Sequence, residues 1–465
     1  MSSKINNEET YRDTISIVDG RGGRKWIYPK KPSGRFYNAR TITSIILLAI
    51  LFGLPFIKIE GHPFMLLNIL EMKFILFGTL FVPQDFYLFG LVMITLFVAL
   101  FLITAAFGRI FCGWMCPQTI FLEMVFRKIE YIIEGDYLKQ SALNKSAWNT
   151  EKLLKKGNKY LIFFIISFLI ANIFLSYIIG VDQLWNIINE PVSLHYTGFF
   201  SIIIFTVIFY WIFSWFREQA CILVCPYGRL QSVLLDKNST VIAYDFIRGE
   251  PRGKLKKKEA DSLGDCIDCK LCVNVCPTGI DIRNGTQLEC VNCTACIDAC
   301  DEVMDKVSRP RGLIKFSSME SIINKTRFRF TPRIIGYSII LVVLISVMTI
   351  LFINRKDIDV NILRAPGMLY QDLPENRVSN VYNLVISNKT FREMPLELKI
   401  ENSSGDIKLT GKEIILKPLD IYEGSFLVVL DKKNISLTNT PLKIRIYSGN
   451  ELMDEVKTSF LGPQN

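Results

Sequence analysis

Five long apolar stretches dominate the pattern of hydrophobic and polar positions along this chain. They lack charged side chains and cover residues 41–57, 86–108, 160–181, 191–216 and 334–354. With a rise of about 1.5 Å per residue, helices of these lengths reach roughly 26 to 39 Å, against a hydrocarbon core of about 30 Å. One such stretch alone is also compatible with a buried helix of a soluble protein. Five in one chain predict a polytopic α-helical membrane protein.

Basic residues between these stretches predict how the chain crosses the membrane. Residues 1–40 hold nine Lys or Arg, 109–159 hold nine and 217–333 hold nineteen, whereas 58–85 hold two and 182–190 hold none. Connections rich in Lys and Arg stay in the cytoplasm. The net charge of +10 is therefore a sign of topology, and nucleic-acid binding is not needed to explain it.

Two regions outside the apolar stretches show strand patterns. The segment 73–83 is too short to span, and its central Gly78 favours a hairpin, with a re-entrant helix as the alternative. Near the C-terminus, apolar and polar residues alternate in 381–387, 396–401, 414–416, 425–430 and 442–447. Several short strands separated by turn residues predict a β-sandwich. That region has no Cys and no His, so a docking or structural role is expected for it.

These patterns together predict five regions in the chain. They are a cytoplasmic tail (1–40), a four-helix membrane domain with a hairpin (41–216), a cytoplasmic insert (217–333), a fifth helix (334–354) and an extracytoplasmic β domain (355–465). The N-terminal residues are polar and lack an apolar core with a cleavage site, so the first span is expected to act as its own anchor.

Eight of the twelve cysteines form two runs within the insert, at about residues 257–305. The runs are Cys266-x-x-Cys269-x-x-Cys272-x-x-x-Cys276-Pro277 and Cys290-x-x-Cys293-x-x-Cys296-x-x-x-Cys300. In two-cluster ferredoxins three thiolates of a run bind one [4Fe–4S] cluster, and the fourth binds the other. One cluster is therefore expected on Cys266, Cys269, Cys272 and Cys300, and the second on Cys290, Cys293, Cys296 and Cys276. Zinc is the alternative, since Cys-x-x-Cys pairs also suit tetrahedral zinc.

The second run departs from the ferredoxin pattern at one position. Asp301 follows Cys300, where the first run has Pro277 after Cys276. A negative charge near a cluster disfavours the reduced state. We expect a lowered potential for the cluster that Cys300 helps to bind.

Four further cysteines lie where predicted spans meet the cytoplasm. Cys112 and Cys116 form Cys-Gly-Trp-Met-Cys-Pro after the second span, and Cys221 and Cys225 form Cys-Ile-Leu-Val-Cys-Pro after the fourth. Cysteines four apart share a helix face, and a following proline ends or kinks that helix. Two such pairs on one side of the membrane are expected to form one or two metal or redox sites. Thiolates favour Cu(I), zinc or iron–sulfur chemistry, a redox-active dithiol is a further possibility, and simple helix packing is the plain alternative.

Motifs for other redox cofactors are missing from the sequence. It contains no Cys-x-x-Cys-His for haem attachment and no Gly-x-Gly-x-x-Gly between a strand and a helix. The chain is therefore expected to receive electrons from a donor protein or carrier.

The order of spans and motifs resembles the FixG/CcoG family from about residue 25 to the end. Matching stretches include Pro-Gln-Asp-Phe-Tyr at 83–87, Gly-Arg-Ile-Phe-Cys-Gly at 108–113 and Cys-Pro-Gln-Thr at 116–119. Others are Ile-Glu-Gly-Asp at 133–136, Cys-Pro-Tyr-Gly-Arg at 225–229, Tyr-Asp at 244–245 and Arg-Gly-Glu-Pro-Arg-Gly at 248–253. The C-terminal region likewise resembles the immunoglobulin-like end of that family.

This resemblance implies a role in assembling the cbb3-type cytochrome c oxidase of the bacterial cytoplasmic membrane. The implied chemistry is reduction of Cu(II) to Cu(I), with the copper ion or a copper chaperone and the oxidase assembly machinery as partners. Cys112, Cys116, Cys221 and Cys225 would then hold copper. The alternatives are an electron-transfer subunit of a respiratory reductase and a non-enzymatic assembly scaffold.

Overall fold

The computed structural model describes residues 16–18, 23–59, 61–69, 73–81, 85–254, 263–326, 329–367, 369–374, 376–401, 403–410, 414–418, 420–435 and 439–463. The chain forms two compact units. The first comprises Met1–Pro55 and Leu91–Ser346, and the second comprises Phe56–Gly90 and Val347–Asn465. Each is described by itself.

Fifteen helices occur among the described residues. In chain order they are α1 (Arg35–Gly53), α2 (Phe86–Phe107), α3 (Ile110–Trp114), α4 (Pro117–Thr119), α5 (Arg127–Ile133), α6 (Tyr137–Lys145), α7 (Thr150–Ile179), α8 (Val181–Asn189), α9 (Tyr196–Trp211), α10 (Pro226–Leu234), α11 (Phe246–Gly249), α12 (Leu271–Asn274), α13 (Ala295–Lys306), α14 (Met319–Asn324) and α15 (Pro332–Ile353). Three π-helical segments, Ile120–Phe126, Ile212–Phe216 and Ala220–Val224, interrupt or extend them. Such segments are rare and concentrate at functional sites.

Sixteen strands occur in the same described residues. They are β1 (Lys58–Ile59), β2 (His62–Pro63), β3 (Met65–Asn68), β4 (Lys73–Leu76), β5 (Thr79–Phe81), β6 (Val241–Tyr244), β7 (Ile314–Ser317), β8 (Ile358–Arg364), β9 (Gln371–Leu373), β10 (Arg377–Asn388), β11 (Met394–Ile400), β12 (Gly405–Leu409), β13 (Ile414–Leu416), β14 (Ile421–Asp431), β15 (Asn439–Ser448) and β16 (Glu451–Leu461).

Five helices are long and apolar enough to cross a membrane: Arg35–Phe56, Phe86–Phe107, Thr150–Ile179, Tyr196–Phe216 and Pro332–Ile353. α2 and α15 have a mean hydropathy of 2.7, yet only 6% of that stretch is buried within the protein. Apolar helices whose side chains face outward need lipid around them. The prediction of a multi-pass membrane protein with five spans is confirmed.

The third span begins earlier than its apolar stretch indicates. α7 starts at Thr150, because the Asn149 side chain accepts a hydrogen bond from the Lys152 amide and caps the helix. Its first turns carry lysines, among them the buried Lys159. The prediction used only residues without charge, so it placed the start of this helix at residue 160, ten residues too late.

The N-terminus of α1 is capped by a residue distant in sequence. The Asp298 carboxylate accepts hydrogen bonds from the amides of Phe36 at 3.2 Å and Tyr37 at 2.8 Å. Gly34 precedes the helix with φ 138°, and a Cβ there would lie 2.6 Å from the Asp298 Cβ. Asp298 belongs to α13, so this contact ties the cysteine-rich region to the first span within the same unit.

A small core surrounds the cysteine runs. β6 and β7 pair antiparallel, with Ile242 opposite Phe316, and pack on α13. Ile242, Ile282, Ile297 and Met304 are among its buried side chains. The short helices α12 and α13 are positioned by this core.

The second unit is built from antiparallel strands. β3, β4 and β5 form a three-stranded sheet, so the hairpin predicted around Gly78 is present. Two further sheets have the orders β12-β14-β10-β8, with β9 beside β10, and β13-β11-β15-β16. Apolar residues of both sheets share one core that includes Tyr382, Phe426 and Phe460. This is the predicted β-sandwich.

All five strands predicted in that region are present, as β10, β11, β13, β14 and β15. β8, β9, β12 and β16 were not predicted from the sequence. Along β16, which pairs with β15, exposed and half-buried side chains follow one another without regular alternation. The strict alternation of apolar and polar residues that marks a half-buried strand is therefore missing.

Candidate iron–sulfur and four-thiol site

The two cysteine runs fold into loops of the same backbone shape. The residues on either side of each central cysteine are left-handed: Asp268 (φ 53°) and Lys270 (φ 58°) around Cys269, and Asn292 (φ 51°) and Thr294 (φ 66°) around Cys293. This conformation is strained for residues other than glycine, above all for a β-branched threonine. Alternation of right- and left-handed residues turns successive N–H groups inward, a concavity found at many iron–sulfur sites.

Cys266, Cys269, Cys272 and Cys300 are brought together around one small cavity. Burial first, and then the thiols of the other three cysteines, raise the pKa of Cys300 to about 12. The same cavity is lined by Tyr244 and Arg283. This is the first set expected from the sequence.

Cys276 lies with the second run. Burial raises the pKa of Cys290 to about 12, and the nearby thiols of Cys276 and Cys293 contribute to the rise. Burial also raises the pKa of Cys296, and the thiols of Cys293, Cys290 and Cys276 add to this rise. Cys276, Cys290, Cys293 and Cys296 therefore form a second group of four.

Helix α13 joins the two groups. It carries Cys296 of the second group and Cys300 of the first, one helical turn apart. Cys272 also affects the pKa of Cys296, so the groups are neighbours. Residues four apart lie on the same face of a helix, so α13 places Cys300 of the second run beside the cysteines of the first run.

These donors fit cubane clusters better than single metal ions. Among the described residues, no three His, Cys, Asp or Glu side chains are arranged to hold one metal ion. A cubane is larger and binds thiolates at separate corners. Two groups of four thiols, each beside a loop with left-handed residues on both sides of its second cysteine, have the composition that two [4Fe–4S] clusters require. Bound clusters would supply single-electron chemistry.

The structure changes the expected geometry at the four membrane-edge cysteines. α3 ends at Trp114, before Cys116, and Pro117 is the first residue of α4. Pro226 likewise begins α10. Each proline therefore starts the following helix, where its missing N–H costs nothing, rather than ending a helix that carries both cysteines. Cys116 and Cys225 are the N-cap residues of these helices.

The two edge pairs converge into one group of thiols. Burial raises the pKa of Cys221 to about 12, and the other three edge thiols add to that rise. Burial also raises the pKa of Cys116, with contributions from Cys112 and Cys225. The fully buried Gln231 donates from Nε2 to the Cys112 Sγ at 3.3 Å. We name Cys112, Cys116, Cys221 and Cys225 the four-thiol group.

The four-thiol group adjoins the second cluster loop. Cys112 packs in one apolar cluster with Val275, Val291 and Cys293. A Cβ at Gly113 would lie 2.8 Å from the Asn292 carbonyl oxygen, so only glycine permits this approach. The buried Arg40 donates from Nε to the Gly113 carbonyl at 2.7 Å, and its charge lowers the otherwise raised pKa of Cys293.

The segment 244–253 encloses the first cluster loop. The Gly253 amide donates to the Cys266 carbonyl at 3.1 Å, and the Asp265 amide donates to the Arg248 carbonyl at 3.0 Å. Arg248 also pairs with Asp265. A Cβ at Gly249 would strike the Tyr244 ring. The Tyr-Asp and Arg-Gly-Glu-Pro-Arg-Gly stretches thus have a structural role that sequence reasoning did not supply.

A buried network of charges near α7 was also missed from the sequence. Arg217 donates two hydrogen bonds to Glu130, at 2.6 and 2.9 Å. Lys159 lies 3.7 Å from Glu130 and 2.9 Å from Glu134. Against the cost of burial, Arg217 lowers the pKa of Glu130 to about 2. The Ile-Glu-Gly-Asp stretch is the sequence feature that marks it.

Three family models match parts of this chain. A "4Fe-4S dicluster domain" model matches residues 216–319, and a "4Fe-4S binding domain" model matches 89–133. A model described as "IG-like fold at C-terminal of FixG" matches residues 348–463. The "4Fe-4S binding domain" model, which matches 89–133, includes Cys112 and Cys116, which lie outside the two cysteine runs.

Curated relatives extend the similarity over most of the chain. Protein RdxA of Cereibacter sphaeroides is 32% identical over 393 residues, which cover 82% of this chain and 83% of the relative. Nitrogen fixation protein FixG of Rhizobium meliloti is 33% identical over 321 residues, 66% of this chain and 60% of that protein. The crystal structure of a FixG-related protein from Vibrio parahaemolyticus aligns with 20% identity and a TM-score of 0.21, covering 23% of this chain and 97% of that one.

Proposed function

Because this chain belongs to the FixG family and is a membrane iron–sulfur electron-transfer protein, we propose that it reduces Cu(II) to Cu(I) during assembly of a cbb3-type cytochrome c oxidase. The observation that supports this proposal is the convergence of Cys112, Cys116, Cys221 and Cys225 beside the second cluster loop. Copper is the substrate here, and each Cu(II) ion takes up one electron.

Two features of this group suit copper. A cavity of about 320 Å³ reaches Cys221 and is lined by Glu289, whose carboxylate suits the harder Cu(II) ion. Thiolates bind Cu(I) strongly, and two of them suffice for one Cu(I) ion, so reduction would favour retention by a pair of cysteines within the four-thiol group. This fits a site in which no three such side chains of the described residues surround one ion. Burial raises the pKa of the Cys116 and Cys221 thiols, so copper binding to these two side chains must release protons.

In the proposed arrangement Cys266, Cys269, Cys272 and Cys300 bind one [4Fe–4S] cluster, and Cys276, Cys290, Cys293 and Cys296 bind the other. The proposal places residues 1–40 and 217–333 in the cytoplasm of a bacterium and the β-sandwich outside its cytoplasmic membrane. Alkaline phosphatase fused after residue 465 would then be active, and the same enzyme fused after residue 145 would be inactive. The reverse result would refute this orientation.

A second candidate function is electron relay within a respiratory reductase. The 4Fe–4S family model that covers 89–133 favours it, because that match includes Cys112 and Cys116. In this alternative the four-thiol group binds a third cluster and no copper is reduced.

One experiment separates the two functions. The full-length protein is purified anaerobically, reduced with dithionite, desalted and mixed with Cu(II) and a Cu(I)-specific chelator. Copper reduction is expected to be lost in the double variant C112S/C221S, while the iron content stays at about eight per chain. Wild-type iron near twelve per chain, falling to about eight in the variant, would establish the relay. Unchanged Cu(II) reduction by the variant would refute the copper proposal.

A further inference from the structure

A cavity of about 680 Å³ lies in the first unit, between α10, β6, α14 and the loop 283–288. Its lining includes Arg109, Lys237, Tyr244, Arg283 and Met319. This volume is in the range of sites for organic cofactors and far exceeds what an ion needs. Neither the two cysteine runs nor the four-thiol group accounts for it.

The charge of the lining favours an anion. The lining holds three cationic side chains and one acidic residue, Asp236. Arg283 is paired with Asp268 and Asp281, each at 2.6 Å, so Arg109 and Lys237 supply the positive charge for a ligand. The Asp236 carboxylate is already used, since it accepts hydrogen bonds from the amides of Asn238 and Ser239 at 2.8 and 2.9 Å. The cavity therefore presents excess positive charge.

Arg109 gives an independent indication of a ligand. Its side chain is 4% exposed, and its Nε has no hydrogen-bond partner in the described part of the chain. One of its terminal nitrogens donates to the Leu288 carbonyl. A buried charged donor without a partner is costly, and an anionic group in this cavity would remove that cost.

The remaining wall is apolar. Leu235, Val241, Phe246 and Ile322 line the cavity, and Phe246 is the aromatic residue among these four. A ligand that matches both parts of the lining has an anionic group and a flat aromatic body.

The cavity borders both sets of cluster cysteines. Tyr244 and Arg283 also line the small cavity of Cys266, Cys269, Cys272 and Cys300. On the other side, a terminal nitrogen of Arg109 donates to the carbonyl of Leu288, two residues before Cys290. A redox molecule bound in this cavity would contact residues that also lie next to each of the two sets of cluster cysteines.

We propose that this cavity binds a flavin nucleotide, represented by flavin mononucleotide, as the electron donor. The phosphate would meet the cationic residues, and the ring system would lie on the apolar wall. Nicotinamides transfer two electrons together as a hydride, whereas reduced flavin can release electrons singly to one-electron acceptors. Oxidation of the flavin hydroquinone yields two electrons and two protons, one electron for each cluster. The proposal rests on the electron-transfer function and is independent of copper.

The first test measures binding without any turnover. Oxidised flavin mononucleotide is titrated into the full-length protein in detergent, and quenching of flavin fluorescence gives the Kd. Lys237→Glu and Met319→Trp are each expected to raise the Kd at least tenfold, by charge reversal and by filling the cavity. Lys306→Glu makes the same charge change at an exposed position of α13 outside the cavity and is expected to leave the Kd unchanged.

The second test follows bleaching of the iron–sulfur absorbance after anaerobic mixing with reduced flavin mononucleotide. The rate is expected to saturate with flavin concentration and to shift with the Kd in the Lys237→Glu protein, while reduction by dithionite stays the same. The absence of saturable binding, or equal effects of Lys237→Glu and Lys306→Glu, would overturn the flavin site. Iron content and copper reduction after dithionite treatment report separately on the proposed function.

Discussion

The carbonyl oxygen of Asn292 lies 2.8 Å from the point at which a Cβ atom of Gly113 would stand. Asn292 belongs to the second cluster loop, and Gly113 lies between Cys112 and Cys116. The neighbouring Val291 carbonyl comes closer still. The backbone of the second cluster loop therefore contacts the backbone of Gly113. The absence of a side chain at Gly113 allows the four-thiol group to lie next to this loop.

Gly113→Ala is expected to force this contact apart. Backbone oxygens cannot rotate away as a side chain can, so we expect overpacking to cost about 1–3 kcal/mol. The thermal unfolding midpoint should fall, and the iron content should decrease. Gly336→Ala is the matched control, because no atom lies within 4 Å of a Cβ at that helical position. Equal behaviour of the two variants would contradict the role assigned to Gly113.

The crossed grouping of cysteines predicts different losses from two similar variants. Cys276→Ser should impair the cluster bound with Cys290, Cys293 and Cys296, although Cys276 belongs to the first run. Cys300→Ser should impair the other cluster. Electron paramagnetic resonance during a redox titration should show a different surviving signal in each variant, with about four irons left per chain. Loss of the same signal in both would refute the crossing.

The buried pair of Glu130 and Arg217 is expected to be essential for stability. Glu130→Gln removes the bidentate partner of the buried Arg217, which among the described residues keeps only Glu218 at 3.5 Å. Removing one partner of a buried ion pair costs about 3–5 kcal/mol. Combining Glu130→Gln with Arg217→Met should be less damaging than the sum of the single changes. Thermal unfolding of the four proteins in one detergent measures the coupling. Additive effects would show that the two side chains do not depend on each other.

The same pair predicts a dependence of stability on pH. The pKa of Glu130 falls from 4.5 to about 2 in the folded protein, which at about 1.36 kcal/mol per pKa unit corresponds to roughly 3 kcal/mol. This contribution is complete above about pH 4.5 and is lost as the pH falls toward 2. The unfolding midpoint of wild type should drop over that range, and the midpoint of the Glu130→Gln protein should drop less.

Asp301→Asn tests the charge next to Cys300. Asp301 is buried and accepts a hydrogen bond from the Gly312 amide at 2.9 Å. A unit charge at roughly 7 Å in an effective dielectric of about 20 contributes about 2 kcal/mol, on the order of 100 mV for one electron. The potential of the cluster bound partly by Cys300 should rise, and the other should change less. Unaltered potentials would refute the influence of Asp301.

The sequence predicted the features that depend on local periodicity or spacing. Apolar length located the five spans, alternation located five strands of the sandwich, and the spacing of the runs grouped Cys276 and Cys300 across them. These patterns follow from the geometry of a single helix, strand or loop.

Features that depend on distant contacts were not predicted. The charge of Lys159 excluded it from an apolar window, yet Glu130 and Glu134 allow it to be buried in α7. The cavity beside Arg109 combines residues from 109 to 322, and no short motif marks it. Pro117 and Pro226 were expected to end helices, but tertiary packing uses them to begin the next ones.

The cap that Asp298 provides for α1 has a consequence for biogenesis. The first span leaves the ribosome early, but the carboxylate that completes its N-terminus is translated more than two hundred residues later and sits on α13, between two cluster cysteines. Until α13 has been made and packed, the amides of Phe36 and Tyr37 lack this partner. The N-terminus of the first span is therefore completed only after four of the five candidate spans have been translated.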